Sequence, residues 1–204
     1  MSAIRSLFVT LLFVLVTWCV SGAGRGYQGA HVYVTYISSD TVYEMLLMGA
    51  PPSQNTLNVE RMVCARYGFI YRSVSNECMH AQSEHDSLDR INDSVALLIS
   101  LKKGHDWKQR FNKEIETAYL LQEKVMNIAD KQSYIKVRKV KQEKLNKSFS
   151  YAVDFTSDKD VCIVEAFGDD EQRKTVVFYK MKVNARNKKV ELLSDKPEPC
   201  DYFR

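Results

Sequence analysis

The strongest periodic signal in the chain starts at Asp106, where Trp107, Phe111, Ile115, Ala118, Leu121, Val125 and Ile128 recur at spacings of three and four. That is the stripe of one amphipathic helix. Asp106 suits the N-cap and Gln109 stands three residues on, a capping box with Asp in place of Ser or Thr, and the helix should end near Asp130. Before it the signals are shorter. Residues 31–37 alternate as a strand, with Val32, Val34 and Tyr36 on one face and Tyr33, Thr35 and Ile37 on the other. Asp40 then caps an expected short helix to Met48, stopped by Gly49, Pro51 and Pro52. Residues 59–71 read as β-rich, and a turn over 73–76 brings Cys78 back beside Cys64. Residues 79–93 read as a polar surface loop before a strand over 95–101, and Lys102, Lys103 and Gly104 as a seam.

After the helix the period switches to two. Ile135 and Val137 alternate with Lys136 and Arg138, and a polar turn covers residues 142–147. Phe149, Tyr151, Val153 and Phe155 then line one face of a second strand. Val177, Tyr179, Met181 and Val183 make a third, and Val190 and Leu192 follow a turn over 184–187. One long helix followed by antiparallel strands predicts an α+β fold, the helix packed across the sheet, with an N-terminal β-rich portion. The expected division is 1–23, 24–104 and 105–204.

The first of these segments is a leader rather than a structural element. Arg5, an apolar run over 7–20 and the small residues Ser21, Gly22 and Ala23 form a secretory signal, too short in its apolar part to span a bilayer. The mature protein is therefore expected to be secreted and not inserted in a membrane. Loss of Cys19 leaves Cys64, Cys78, Cys162 and Cys200 in an oxidising compartment. Of the three possible pairings, Cys64–Cys78 and Cys162–Cys200 each close a loop within one half of the chain. Asn92-Asp93-Ser94 and Asn146-Lys147-Ser148 are glycosylation acceptors, each expected on an exposed loop. The formal net charge of +4 is too mild to require nucleic acid. Lys136, Arg138, Lys139, Lys141, Lys144 and Lys147 do cluster, as a solvated strand edge or a surface for an acidic partner.

The stretch 133–142 leading into 149–155 resembles the strand, loop and strand that carry the first inhibitory hairpin of cystatins. The resemblance covers about the last hundred residues and implies a protein that binds another protein, a papain-like protease in the inhibitory members. It makes Gln142, Glu143, Lys144, Leu145 and Asn146 the candidate binding loop, and Asn184, Ala185, Arg186 and Asn187 the second hairpin. The cystatin wedge uses Gln-x-Val-x-Gly and a second loop with Pro-Trp. Here Lys144 stands for Val, Asn146 for Gly, and the second hairpin has no tryptophan. A lysine in that apolar contact costs a few kcal/mol unless the partner supplies a counter-charge, and a glycan on Asn146 would fill the mouth of the cleft.

A second resemblance is to secreted lipocalins of blood-feeding arthropods, through Val153 to Asp158 and Cys162. It implies a carrier of a small amphiphile or amine, but a lipocalin needs about eight strands closed into a barrel. Catalytic chemistry finds no motif: no Gly-x-Ser-x-Gly, no phosphate loop. His80, His85 and His105 with Glu84 and Asp86 lack the spacing of a zinc site. Neither an enzyme nor a cofactor is expected.

Overall fold

The structure, a computed structural model, describes residues 34–37, 40–49, 52–75 and 82–200. The expected leader, Cys78 and His80 lie outside these residues. The described elements run β1 (Val34–Ile37), β2 (Asp40–Met48), α1 (Gln54–Tyr67), β3 (Phe69–Ser75), α2 (Gln82–Lys103), α3 (Trp107–Ala129), α4 (Ser133–Lys144), β4 (Phe149–Phe155), β5 (Val161–Asp169), β6 (Thr175–Asn184), β7 (Val190–Ser194) and β8 (Glu198–Pro199). They form an α+β fold with two sheets, one of order β1-β2-β3 and one of order β4-β5-β6-β7 in which β8 also pairs with β6.

The long helix and the strands β4, β6 and β7 stand where the periodicity put them. Five expectations are corrected. Residues 40–48 are a strand, not a helix. β2 is paired on both sides, antiparallel to β1 and parallel to β3, and Tyr43, Met45 and Leu46 are buried. A strand covered on both faces reads as a continuous apolar run, which periodicity cannot tell from a helix.

Residues 54–67 are helical. Val59, Val63 and Tyr67 recur every four residues on the buried side, Ser53 Oγ accepts from Thr56 N–H, and Gly68 (φ 78°) closes the helix in the left-handed conformation. Residues 82–103 form one helix that buries Val95, Ala96 and Ile99, its first six residues, Gln82 to Ser87, being polar and exposed. Residues 133–144 are helical too, and β5, which had gone uncounted, is the central strand of its sheet. Asp106 does sit at the N-cap of α3, but its side chain makes no capping bond; its carboxylate pairs with Arg110 instead.

Two cores result, and α3 serves both. Trp107, Phe111 and Ala118 join Tyr43, Val59, Val63, Tyr67, Phe69, Val95 and Ile99 in the first. Tyr67, Phe69, Trp107 and Phe111 pack ring on ring at 5.4–6.2 Å. One helical half further on, Val125, Ile128 and Ala129 cover Tyr151, Val153, Cys162, Val164, Met181 and Val183 of the second sheet. Residues 32–204 thus form one compact unit, in which Lys102 and Lys103 end α2 and Gly104 opens the short turn to α3.

Side-chain amides fasten helix to sheet. Asn55 of α1 donates from Nδ2 to Tyr151 O (2.8 Å) and accepts at Oδ1 from Val153 N–H (3.1 Å), as a neighbouring strand would. Asn58 donates to Val153 O (2.9 Å) and to Asp154 Oδ1 (2.8 Å). Gln122 of α3 donates to Asn55 O (3.0 Å), tying α3 to α1.

The expected Cys162–Cys200 bridge is not formed. Cys162 is a free thiol on the helix-covered face of the sheet, among Val153, Val164 and Val183, whereas Cys200 packs with Ala152, Phe167 and Val177 on the other face. A disulfide cannot bridge side chains that leave a sheet in opposite directions. Cys64 is likewise a free thiol, buried in the first core. Burial pushes the Cys64 thiol up to about 12, helped by the charge of Glu60, and the Cys162 thiol up to about 11, helped by Asp154. Both therefore stay protonated and unreactive at neutral pH.

Two measurements check this account. Asn55→Ala leaves Tyr151 O and Val153 N–H unpaired, and is expected to lower unfolding stability by about 2–4 kcal/mol in denaturant titration; a loss within experimental error would contradict the edge-closing role. Because the folded pKa of each thiol lies above its unfolded value, their contribution to stability is complete below pH 9 and is lost as pH rises through about 11 to 12. Native protein at pH 8 is expected to leave Cys64 and Cys162 unalkylated until denaturant is added.

Candidate protein-binding surface

The basic cluster lies on α4, and the structure divides its six cations into two groups. Three serve the fold. Lys139 Nζ donates to Asp130 Oδ1 (2.6 Å), which also accepts from the Tyr151 hydroxyl and so locks the elbow between α3 and α4 onto β4. Burial and that carboxylate push the Tyr151 phenol well above its ordinary value. Arg138 stacks on the Phe178 ring at 4.3 Å. Lys147 donates to Asp170 O. The other three, Lys136, Lys141 and Lys144, are exposed; Lys141 stands 3.9 Å from Glu171, an ion pair worth little at the surface.

Helical spacing lines up Lys136, Val140 and Lys144 in one column and Val137 and Lys141 in the next. Val137 is 71% exposed and Val140 49%. The outward face of α4 is thus cations alternating with valines, over a helix that buries only Ile135 and Gln142. A groove of about 370 Å³ runs beside its last turns, between Lys141 and Leu145 on one side and Asp170 and Glu171 on the other.

The candidate binding loop is dispersed by this arrangement. Gln142 is 2% exposed, donating from Nε2 to Asp169 O (2.7 Å) and Ser148 O (3.3 Å). It pins α4 to the end of the sheet. Gly168 permits that approach, since a Cβ there would stand 2.2 Å from Ser148 O. Glu143 and Lys144 are exposed in the last turn of α4, Leu145 is its C-cap, and Asn146 follows in the left-handed conformation (φ 50°), which Asn tolerates better than most residues.

The second hairpin lies elsewhere. Asn184 Oδ1 accepts from Arg186 and Asn187 N–H, and Ala185 is buried with its N–H on Asp160 O. β4 begins opposite Gly168, whereas β6 ends opposite Val161. The two loops therefore stand at opposite ends of β5, roughly 23 Å apart at a strand's rise per residue. The turn that shares an end with residues 142–148 is the one between β5 and β6. The wedge expected from these two loops is not assembled.

Glu84, His85 and Asp86 sit in the first two turns of α2, and His105 lies near Ser100 (3.2 Å) at the α2–α3 turn. Among the described residues no three metal-ligating side chains come together, and no helix is long and apolar enough to cross a membrane. Asn92, expected on a loop, lies on α2 and is half-buried. What sequence reasoning missed was the pairing of Val137 with Val140; the signal was there in their spacing of three. No family model, curated protein or solved structure matches the chain.

Titration of the protein from a eukaryotic secretory host, and of its Asn146→Gln variant, against a papain-like protease is expected to give no inhibition by either form. Nanomolar inhibition by the glycan-free variant would mean that residues 142–146 form a wedge after all.

Proposed function

We propose that the mature chain is a secreted, non-enzymatic protein that works by binding another protein, and that it does so through the outward face of α4. The observation that carries this reading is the exposure of Val137 and Val140 between Lys136, Lys141 and Lys144. Valine is a poor choice for a solvated helix surface, on grounds of both propensity and hydration. Two of them on one face, rimmed by unneeded cations, suit an acidic protein surface with apolar residues at its centre. The cystatin resemblance contributes the idea of inhibition by protein binding, but the separation of its two loops favours a helix face over a hairpin wedge. The carrier alternative finds less support, because the covered face of the second sheet is filled by Val125, Ile128, Ile135 and their neighbours.

The test is photo-crosslinking of the secreted protein from position 140 in the extracellular fluid where it works. Crosslinking to a discrete acidic protein is expected, abolished by Lys136→Glu with Lys144→Glu and weakened at raised salt. Lys188→Glu with Lys189→Glu, at the far end of the sheet, is expected to leave it unchanged. Equal loss in both double variants would remove α4 from the role.

A further inference from the structure

The two glycosylation acceptors differ in what their amides already do. Asn92 accepts at Oδ1 from Leu46 N–H (2.8 Å) and donates from Nδ2 to Leu46 O (2.9 Å). Among the described residues β1 pairs with β2 as far as Tyr43, and beyond that residue the Asn92 amide supplies the partners of Leu46 as a neighbouring strand would. Ser94, the hydroxyl residue of the same acceptor, donates to Arg90 O within the helix (3.0 Å). Positions i and i+2 of a helix point to opposite sides, so this hydroxyl does not face the Asn92 amide. Asn146 is exposed, lies in a turn with φ 50°, and its side-chain amide has no hydrogen bond among the described residues; Ser148 is exposed as well.

We propose that the chain carries one N-linked glycan, on Asn146, and that Asn92 is a strand-closing amide left unmodified. This rests on the secretory reading above. In the transfer, Nδ2 of Asn146 attacks the anomeric carbon of a lipid-pyrophosphate oligosaccharide. A C–N bond forms, the bond from that carbon to the pyrophosphate oxygen breaks, the lipid pyrophosphate leaves with the electron pair, and Nδ2 loses one proton.

Stereochemistry separates the sites. A substituted amide is trans, which places the sugar on the same side as Oδ1. Asn92 engages N–H and C=O of one residue, Leu46, and so donates through that same hydrogen. A sugar on Asn92 would remove the bond and force itself between α2 and β2. A chain modified there before folding could not close the first sheet, so the folded, secreted protein is the one modified at Asn146 alone.

The glycan also bounds the surface on α4. Asn146 lies six residues beyond Val140, about 9 Å at a helix's rise, beside the end of the groove that Leu145 and Lys147 line. The sugar would cover that end and leave the Lys136–Val140 end open.

The test is intact mass and peptide mapping of protein from a eukaryotic secretory host, made once with its own leader and once with a heterologous one, before and after amidase treatment. One glycan is expected, with Asn-to-Asp conversion at position 146 only; Ser148→Ala abolishes it and Ser94→Ala changes nothing. Asn92→Gln is expected to keep the glycan but lower Tm by several degrees, where Ser94→Ala leaves Tm unchanged. Conversion at Asn92, loss of a glycan's mass in Ser94→Ala, or unmodified protein from the heterologous leader would overturn the proposal. A chain retained with its own leader but carrying one glycan with the other would refute secretion and uphold the assignment.

Discussion

The outer edge of β4 is closed by asparagine amides from α1, and much of the second half of the chain depends on that closure. An exposed strand edge leaves a row of unpaired N–H and C=O groups that recruits any extended segment nearby. Asn55 and Asn58 supply those partners from a helix. The segment following α3 then finds the β4 edge already occupied. It has the β-branched residues and the alternation of a strand, but it folds as α4 and crosses to the sheet's end, where Gln142 fixes it. Asn92 applies the same device to β2. A primary amide presents one donor and one acceptor side by side, as a peptide does, so a helix can terminate a sheet without contributing a strand.

This explains which elements were legible in the sequence. α3 could be read because Trp107 to Ile128 serve a buried stripe from end to end, even though that stripe passes from one core to the other. β4, β6 and β7 showed themselves by alternation. β2 was misread because its burial on both faces erases the alternation, and α2 because its first six residues are polar and the stripe begins only at Leu88 and Ile91. α1 carried its own markers, Ser53 and Gly68, but its apolar residues also fit a strand. For α4 no local signal could decide: Ile135 and Val137 would alternate in a strand, and the occupancy of the β4 edge by Asn55, far away in the sequence, removes the strand partner that adjoins it.

The same dependence decided the site. The cystatin resemblance implied that the turn at 184–187 stands beside the loop at 142–146. With β5 included, the two stand at opposite ends. The six cations were legible as a cluster, but not their division, because Asp130, Phe178 and Asp170, which occupy three of them, come from three different elements.

α4 is held to the body by directional contacts more than by burial. Ile135 is its one fully buried apolar side chain, and Asp130, Phe178 and Asp169 receive Lys139, Arg138 and Gln142. Such contacts fix orientation well, so Val137 and Val140 are presented to solvent in a set geometry with little ordering left to a partner. Burying both valines contributes roughly 3 kcal/mol, about a hundredfold in affinity, which is too little to offset the entropic cost of association. In the proposed interface the valines can therefore only complete a contact whose recognition comes from charge. Lys136, Lys141 and Lys144 act over a Debye length of about 8 Å in physiological salt, which in that proposal would favour fast capture of an acidic partner over long retention, with any further affinity coming from what such a partner buries against the rest of the helix.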